Sequence, residues 1–101
     1  MMILDSLTYT AVVGTRTSPQ ITVFALSTCG FCKRAMAFLQ NNSISYRYIH
    51  VDTIPIDTKN EIKRELKERF KVDVAFPFAT VGDDKYLVGF IEVDWKLTLG
   101  V

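Results

Sequence analysis

Histidine occurs once, at His50, and cysteine twice, at Cys29 and Cys32, in these 101 residues. A structural zinc site needs four such ligands, and neither a second C-x-x-C nor a paired histidine stands at a useful spacing, so no metal site is expected. An excess of charge of one sign is missing too. With 12 Lys and Arg against 11 Asp and Glu the net charge is +1, and no Lys/Arg-rich run occurs, which removes the case for nucleic acid or an anionic membrane as partner. No apolar stretch approaches the roughly 20 residues that cross a bilayer. The segment Met1 to Pro19 has no basic region ahead of an apolar core, and Ala11-Val12-Val13 is too short for a signal peptide. A cytoplasmic location is therefore expected. Internal repeats and low-complexity tracts are absent.

What is present is ordinary globular material, 49% hydrophobic and 23% charged, enough for one domain with one core. Residues 1–20 read as an extension, either an added edge strand or a flexible segment: Ile3, Leu7, Tyr9, Val12 and Val13 favour a strand, but Gly14 to Pro19 is turn-like. Residues 21–101 form the domain. Ile21 to Leu26 is a nearly continuous apolar run, as expected of a strand buried on both faces. Cys32, Ala35, Met36 and Leu39 then fall at i, i+3, i+4 and i+7, one face of a helix ending near Asn41-Asn42. Tyr46 to Val51 is aromatic and β-branched and reads as a second strand, parallel to the first through a right-handed crossover. Thr58 to Glu61 fits a capping box, with Ile62, Leu66 and Phe70 on one face of the helix that follows and Glu65 and Arg69 as an i, i+4 pair. Phe78 to Val81 and Tyr86 to Val88 flank the turn residues Gly82-Asp83-Asp84 as a hairpin. Glu92 to Leu99 predicts a short helix packing through Val93, Leu97 and Trp95. The order β-α-β-α-β-β-α places the chain in the α/β class.

The two cysteines stand where that order gives them chemistry. In open sheets of this kind, sites form beyond the carboxyl ends of the strands, where Cys29-Gly30-Phe31-Cys32 lies. With Cys29 at the loop-to-helix junction, unpaired N–H groups and the positive end of the helix dipole favour its thiolate, the form that attacks a disulfide. Lys33 and Arg34 add positive charge, although cations early in a helix oppose its dipole and also fit a plain surface role. Cys32, one turn on and on the buried face, is placed to resolve a mixed disulfide at Cys29. A permanent disulfide closes too short a loop to stabilise much. Inert core cysteines are common singly. A reducing compartment favours the catalytic reading of this pair.

The element order, together with Ser27-Thr28-Cys29-Gly30-Phe31-Cys32-Lys33-Arg34-Ala35, then Phe76-Pro77, then Val88-Gly89-Phe90, resembles glutaredoxins and the wider thioredoxin superfamily over about residues 21 to 99. The resemblance implies a thioredoxin/glutaredoxin fold with a four-stranded mixed sheet flanked by helices. It implies a monomeric thiol-disulfide oxidoreductase in which Cys29 attacks and Cys32 resolves, with no resident cofactor. It further implies a cis peptide bond before Pro77, which would turn the Phe76 backbone toward an extended substrate in the manner of an added strand. Phe31, Phe76, Pro77, Gly89 and Phe90 are the expected substrate-binding residues, and Lys33 and Arg34 the expected tuners of the thiolate.

Departures from the glutathione-using pattern concern the electron donor. Those enzymes usually carry Lys or Arg three residues before the first cysteine, where this chain has Leu26; Thr-Val before the proline, where it has Ala75-Phe76; and Gly-Gly with a following acidic pair, where it has Gly89-Phe90-Ile91-Glu92. A glutathione carboxylate without its cation loses a charge-assisted contact of about 1.5 to 3 kcal/mol. Gly89-Phe90 is similar to the redoxins that serve ribonucleotide reductase and take electrons from thioredoxin reductase. The expected partners are disulfide-containing protein substrates, with thioredoxin reductase or a low-molecular-weight thiol as donor. Cys29-Gly30-Phe31 also resembles the start of the Cys-Gly-Phe-Ser motif of glutaredoxins that carry a [2Fe-2S] cluster between two subunits. Cys32 in place of the serine and Leu26 in place of the lysine weaken that alternative.

Overall fold

The computed structural model describes residues 3–101, so the first two residues of the expected extension lie outside the described residues. A 3-10 turn, Ile3–Asp5, leads into β1 (Thr10–Val12), β2 (Ile21–Ala25), α1 (Gly30–Asn41), β3 (Tyr46–His50), α2 (Ile56–Phe70), β4 (Phe78–Val81), β5 (Lys85–Val88) and α3 (Glu92–Leu99). The strands form one mixed sheet in the order β1-β3-β2-β4-β5. β2 and β3 are parallel, pairing Ala25 with His50, while β4 and β5 add antiparallel strands on the far side of β2.

The sheet has five strands rather than the expected four. The additional one is β1, which pairs antiparallel with β3, Thr10 opposite Tyr48 and Val12 opposite Tyr46. Side-chain contacts bind this segment to the sheet and brace it internally. The Arg47 guanidinium lies 4.1 Å from the Tyr9 ring centre while its Nε donates to Thr22 Oγ1 at 2.8 Å. The Tyr9 hydroxyl donates to the Leu4 carbonyl at 2.8 Å. Covering β3 this way protects an otherwise open edge.

All five residues of β2 are buried, as expected of a strand covered on both faces. Ile21, Val23 and Ala25 join Cys32, Ala35, Phe38, Leu39, Trp95 and Leu99 under α1 and α3. Phe24 points the other way, into a second cluster with Phe78, Ile49, Ile62 and Leu66 under α2. Strand alternation divides one strand between two cores.

Three local expectations are corrected. α2 starts at Ile56 with Pro55 at its N-cap and no side-chain cap, so Thr58 lies inside the helix and there is no capping box. Proline's fixed φ already suits entry into a helix. Glu65 and Arg69 do not pair with each other: Glu65 Oε1 accepts from the Ile3 N–H at 2.8 Å, and Arg69 donates to the Asp83 carbonyl at 2.9 Å. Tertiary partners displace a weak helix-surface contact. In α3, Val93 and Leu97 are 58% and 77% exposed, whereas Trp95 and Leu99 are buried. Both pairs are spaced i, i+4 on opposite faces, and the larger indole decides which face turns inward.

Candidate active site

The loop after β2 closes with the Cys29 N–H donating to the Leu26 carbonyl at 3.3 Å. Cys29 then occupies the N-cap of α1 with φ −94° and ψ 116°. In that extended conformation its Sγ faces back along the first turn and accepts the Cys32 N–H at 3.1 Å. The sulfur thus takes the position of a capping oxygen, satisfying one of the helix's free donors. Both thiols are free; Cys29 is half-buried and Cys32 fully buried.

Burial raises the Cys32 thiol well above its ordinary range, to about 12, and the neighbouring Cys29 sulfur, to which it hydrogen-bonds, adds to the shift. The two thiols therefore differ in access: one reaches solvent, and the other stays protonated in the core.

The remaining expected residues divide into those the fold gathers beside the cysteines and those it leaves outside. Cys29, Phe76 and Phe90 pack against the cluster that contains Cys32. The Phe76-Pro77 peptide is cis, as is Ser18-Pro19, and Pro77 is buried. Gly89 donates its N–H to the Pro77 carbonyl at 2.8 Å with φ +71°, a conformation that favours glycine. The Gly89 carbonyl in turn accepts the Trp95 indole N–H at 3.0 Å. Phe90 packs on Trp95 and Phe38, its ring centre 5.3 and 5.8 Å from theirs. Phe31 is 58% exposed on the first turn of α1, with the Arg34 guanidinium 5.4 Å from its ring centre. Lys33 is exposed and donates its N–H to the Cys29 carbonyl at 3.1 Å. Leu26, where glutathione-using enzymes carry a cation, packs against the second core cluster.

Asp52 escaped the sequence reading. Its Oδ1 accepts the Ser27 N–H at 3.0 Å and its Oδ2 the Ser27 hydroxyl at 2.6 Å. These two bonds hold the Asp52 carboxyl below the usual carboxylate range. The strand register explains the meeting: with Ala25 paired to His50, positions 27 and 52 stand at the same offset beyond the strand ends. Trp95, expected only to pack, also anchors the Gly89 bend.

The glutaredoxin family model matches residues 21–84 of the chain. Among solved structures, the glutaredoxin of Methanosarcina mazei is 29% identical with a TM-score of 0.79, covering 92% of this chain and 88% of that one. Methanoredoxin of Methanosarcina acetivorans is 27% identical with a TM-score of 0.73, covering 87% of this chain and 90% of that one. The glutaredoxin of Archaeoglobus fulgidus, 23% identical with a TM-score of 0.67 over 78% of this chain and 84% of that one, shares the fold. No curated protein sequence matches significantly.

Proposed function

The chain belongs to the glutaredoxin family, and from that premise we propose that it is a dithiol thiol-disulfide oxidoreductase acting through Cys29 and Cys32. The observation that carries the reading is the unequal pair: a half-buried Cys29 sulfur hydrogen-bonded by the Cys32 N–H at 3.1 Å, with the Cys32 sulfur fully buried behind it. That backbone N–H fixes the accessible sulfur at the helix N-cap, in front of the buried one.

The Cys29 thiolate attacks one sulfur of a substrate disulfide. A Cys29–substrate disulfide forms, the substrate S–S bond breaks, and the other substrate sulfur leaves as a thiolate. Cys32 meets no external disulfide at 0% exposure. Its reach is confined to the bond just made at Cys29. Loss of the Cys32 proton and attack on Cys29 Sγ release the second substrate thiolate and leave a Cys29–Cys32 disulfide. Two electrons have then moved from the dithiol to the substrate, and an external donor must return them.

Phe31, Phe76, Gly89 and Phe90 form the substrate surface in this reading, with the buried Pro77 shaping it from beneath, and Lys33 and Arg34 contribute positive charge around the sulfur. The apolar content of that surface supports a protein disulfide as substrate. Leu26, packed against the second core cluster where glutathione-using enzymes carry a cation, supports thioredoxin reductase, or a low-molecular-weight thiol other than glutathione, as donor. The protein works as a monomer with no resident cofactor, in the cytoplasm. Among the described residues, no helix is long and apolar enough to cross a membrane.

The deciding experiment follows reduction of a protein disulfide. Cys29→Ser should abolish turnover, and Cys32→Ser should accumulate a mixed disulfide visible by mass. Full activity of Cys29→Ser would end the proposal. Supplying electrons in parallel from thioredoxin reductase and from glutathione tests the donor, and efficient glutathione turnover would overturn the inference from Leu26.

A further inference from the structure

The loop that presents Cys29 has few internal restraints. The last backbone rung between β2 and β3 runs from the Val51 N–H to the Ala25 carbonyl at 2.9 Å. Beyond it, the Leu26-to-Cys29 turn is closed by a single long bond of 3.3 Å. Thr28, in the middle of the turn, is exposed. Asp52 supplies what the backbone does not: two bonds to Ser27, at 3.0 Å to its N–H and 2.6 Å to its hydroxyl. A side-chain carboxylate thus continues the parallel ladder to the residue two before Cys29. Charge-assisted bonds of this length are the stronger kind, and two on one residue fix orientation as well as distance.

We propose that Asp52 is a positioning residue for Cys29, holding the Ser27 end of the turn so that the Cys29 sulfur stays at the helix N-cap, aligned for attack on a disulfide. The inference rests on the reading of Cys29 as the attacking thiol. Electrostatics alone would not select an acid here. An attacking group that carries negative charge gains nothing from a further negative charge on a neighbouring segment. The contribution of Asp52 is therefore geometric, and geometry and charge predict opposite signs when it is removed.

That difference makes the test sharp. In a Cys32→Ser background, which isolates the first step, the second-order rate of Cys29 with dipyridyl disulfide is measured by release of the pyridine thiol. This probe is neutral, so no charge on it responds to Asp52. Positioning predicts that Asp52→Ala slows attack about tenfold, because misplacement of a reacting atom is costly to rate. Ser27→Ala removes only the hydroxyl bond and leaves the backbone N–H bond to Oδ1, so it should slow attack less than Asp52→Ala, and the double variant should be no slower than Asp52→Ala alone, since the hydroxyl has no other partner to lose. Asp52→Asn, which keeps one acceptor oxygen and loses the charge, should fall between Asp52→Ala and the unsubstituted protein.

A rate equal to or above that of the parent in Asp52→Ala, or effects of Asp52→Ala and Ser27→Ala that simply multiply, would overturn the proposal. If Asp52→Ala does not fold, Asp52→Asn and Ser27→Ala form the same cycle. The outcome is independent of the oxidoreductase reading in one respect. A protein that reduces no protein disulfide but shows this coupling at Cys29 loses the proposed function and keeps the positioning role.

Discussion

Replacing Trp95 should affect both stability and substrate binding, by amounts set by its surroundings. Its side chain is 1% exposed. It packs edge-on against Phe38 and Phe90 at 6.4 and 5.3 Å, and its indole N–H donates to the Gly89 carbonyl at 3.0 Å. Trp95→Ala removes nearly the whole buried ring and should cost about 3–5 kcal/mol, a large part of the about 5–15 kcal/mol that holds a domain folded. Trp95→Phe keeps an aromatic ring there but deletes the donor and some volume, for which about 2 kcal/mol is expected. Urea unfolding reads both values from the midpoint, provided the slope is unchanged. The functional consequence follows from the chain of bonds Trp95–Gly89–Pro77, in which the Gly89 N–H reaches the Pro77 carbonyl at 2.8 Å. Trp95→Phe loosens the bend that lines the expected protein-binding surface without touching either sulfur. KM for a protein disulfide should therefore rise severalfold while the rate with a small aromatic disulfide is unchanged. A Trp95→Ala variant costing less than about 1 kcal/mol would refute the packing argument. Equal changes toward large and small disulfides would refute the coupling to the surface.

Alkaline pH should destabilise the protein in a way traceable to Cys32. Its folded-state pKa, raised to about 12, exceeds that of the unfolded chain, so its contribution is full below about pH 8.5 and is lost as pH rises toward the folded value. Urea midpoints between pH 8 and pH 10 should fall in the parent and fall less steeply in Cys32→Ala, while Tyr9 and Tyr46, also raised by burial, add their losses at the upper end in both proteins. Equal slopes would contradict this account. Gly14→Ala should destabilise the docking of β1 by about 1–3 kcal/mol, because a Cβ there would stand 2.6 Å from the Ser43 carbonyl carbon and 2.8 Å from that of Ile44, both backbone atoms. Limited proteolysis should then cut ahead of residue 20 sooner than in the parent; an unchanged rate counts against the contact. Leu26→Lys should increase turnover with glutathione severalfold by restoring a cation for its carboxylate, at a modest stability cost from the packing Leu26 gives the second core. No gain with glutathione would locate the donor preference elsewhere.

Much of the architecture was legible because the strongest periodic signals carry their own geometry. The apolar run of β2 could only be satisfied by cover on both faces, and the i, i+3, i+4, i+7 set from Cys32 to Leu39 required a helix with Cys32 inward. Turn chemistry at Gly82-Asp83-Asp84 set the hairpin. Where two solutions are equivalent in sequence, packing decides: Val93 and Leu97 turn outward although the pattern suits them for the core, while Trp95 is buried as expected. Val93 with Leu97 and Trp95 with Leu99 are equally spaced on α3, and only the space beneath the helix distinguishes them. Glu65 and Arg69 are suitably placed to pair, but their tertiary partners Ile3 and Asp83 lie 62 and 14 residues away.

The sequence by itself determined the family, the order of elements from β2 to α3 and the placing of the two cysteines after β2, because spacing within one strand-turn-helix unit is a local property. Tertiary structure decided what distance along the chain conceals. It brought Asp52 to Ser27, tied Trp95 through Gly89 to Pro77, and added β1 as a fifth strand. Each of these joins depends on strand register and on the shape of a shared core. Those arise only when the elements pack against one another, and no window of neighbouring residues contains them.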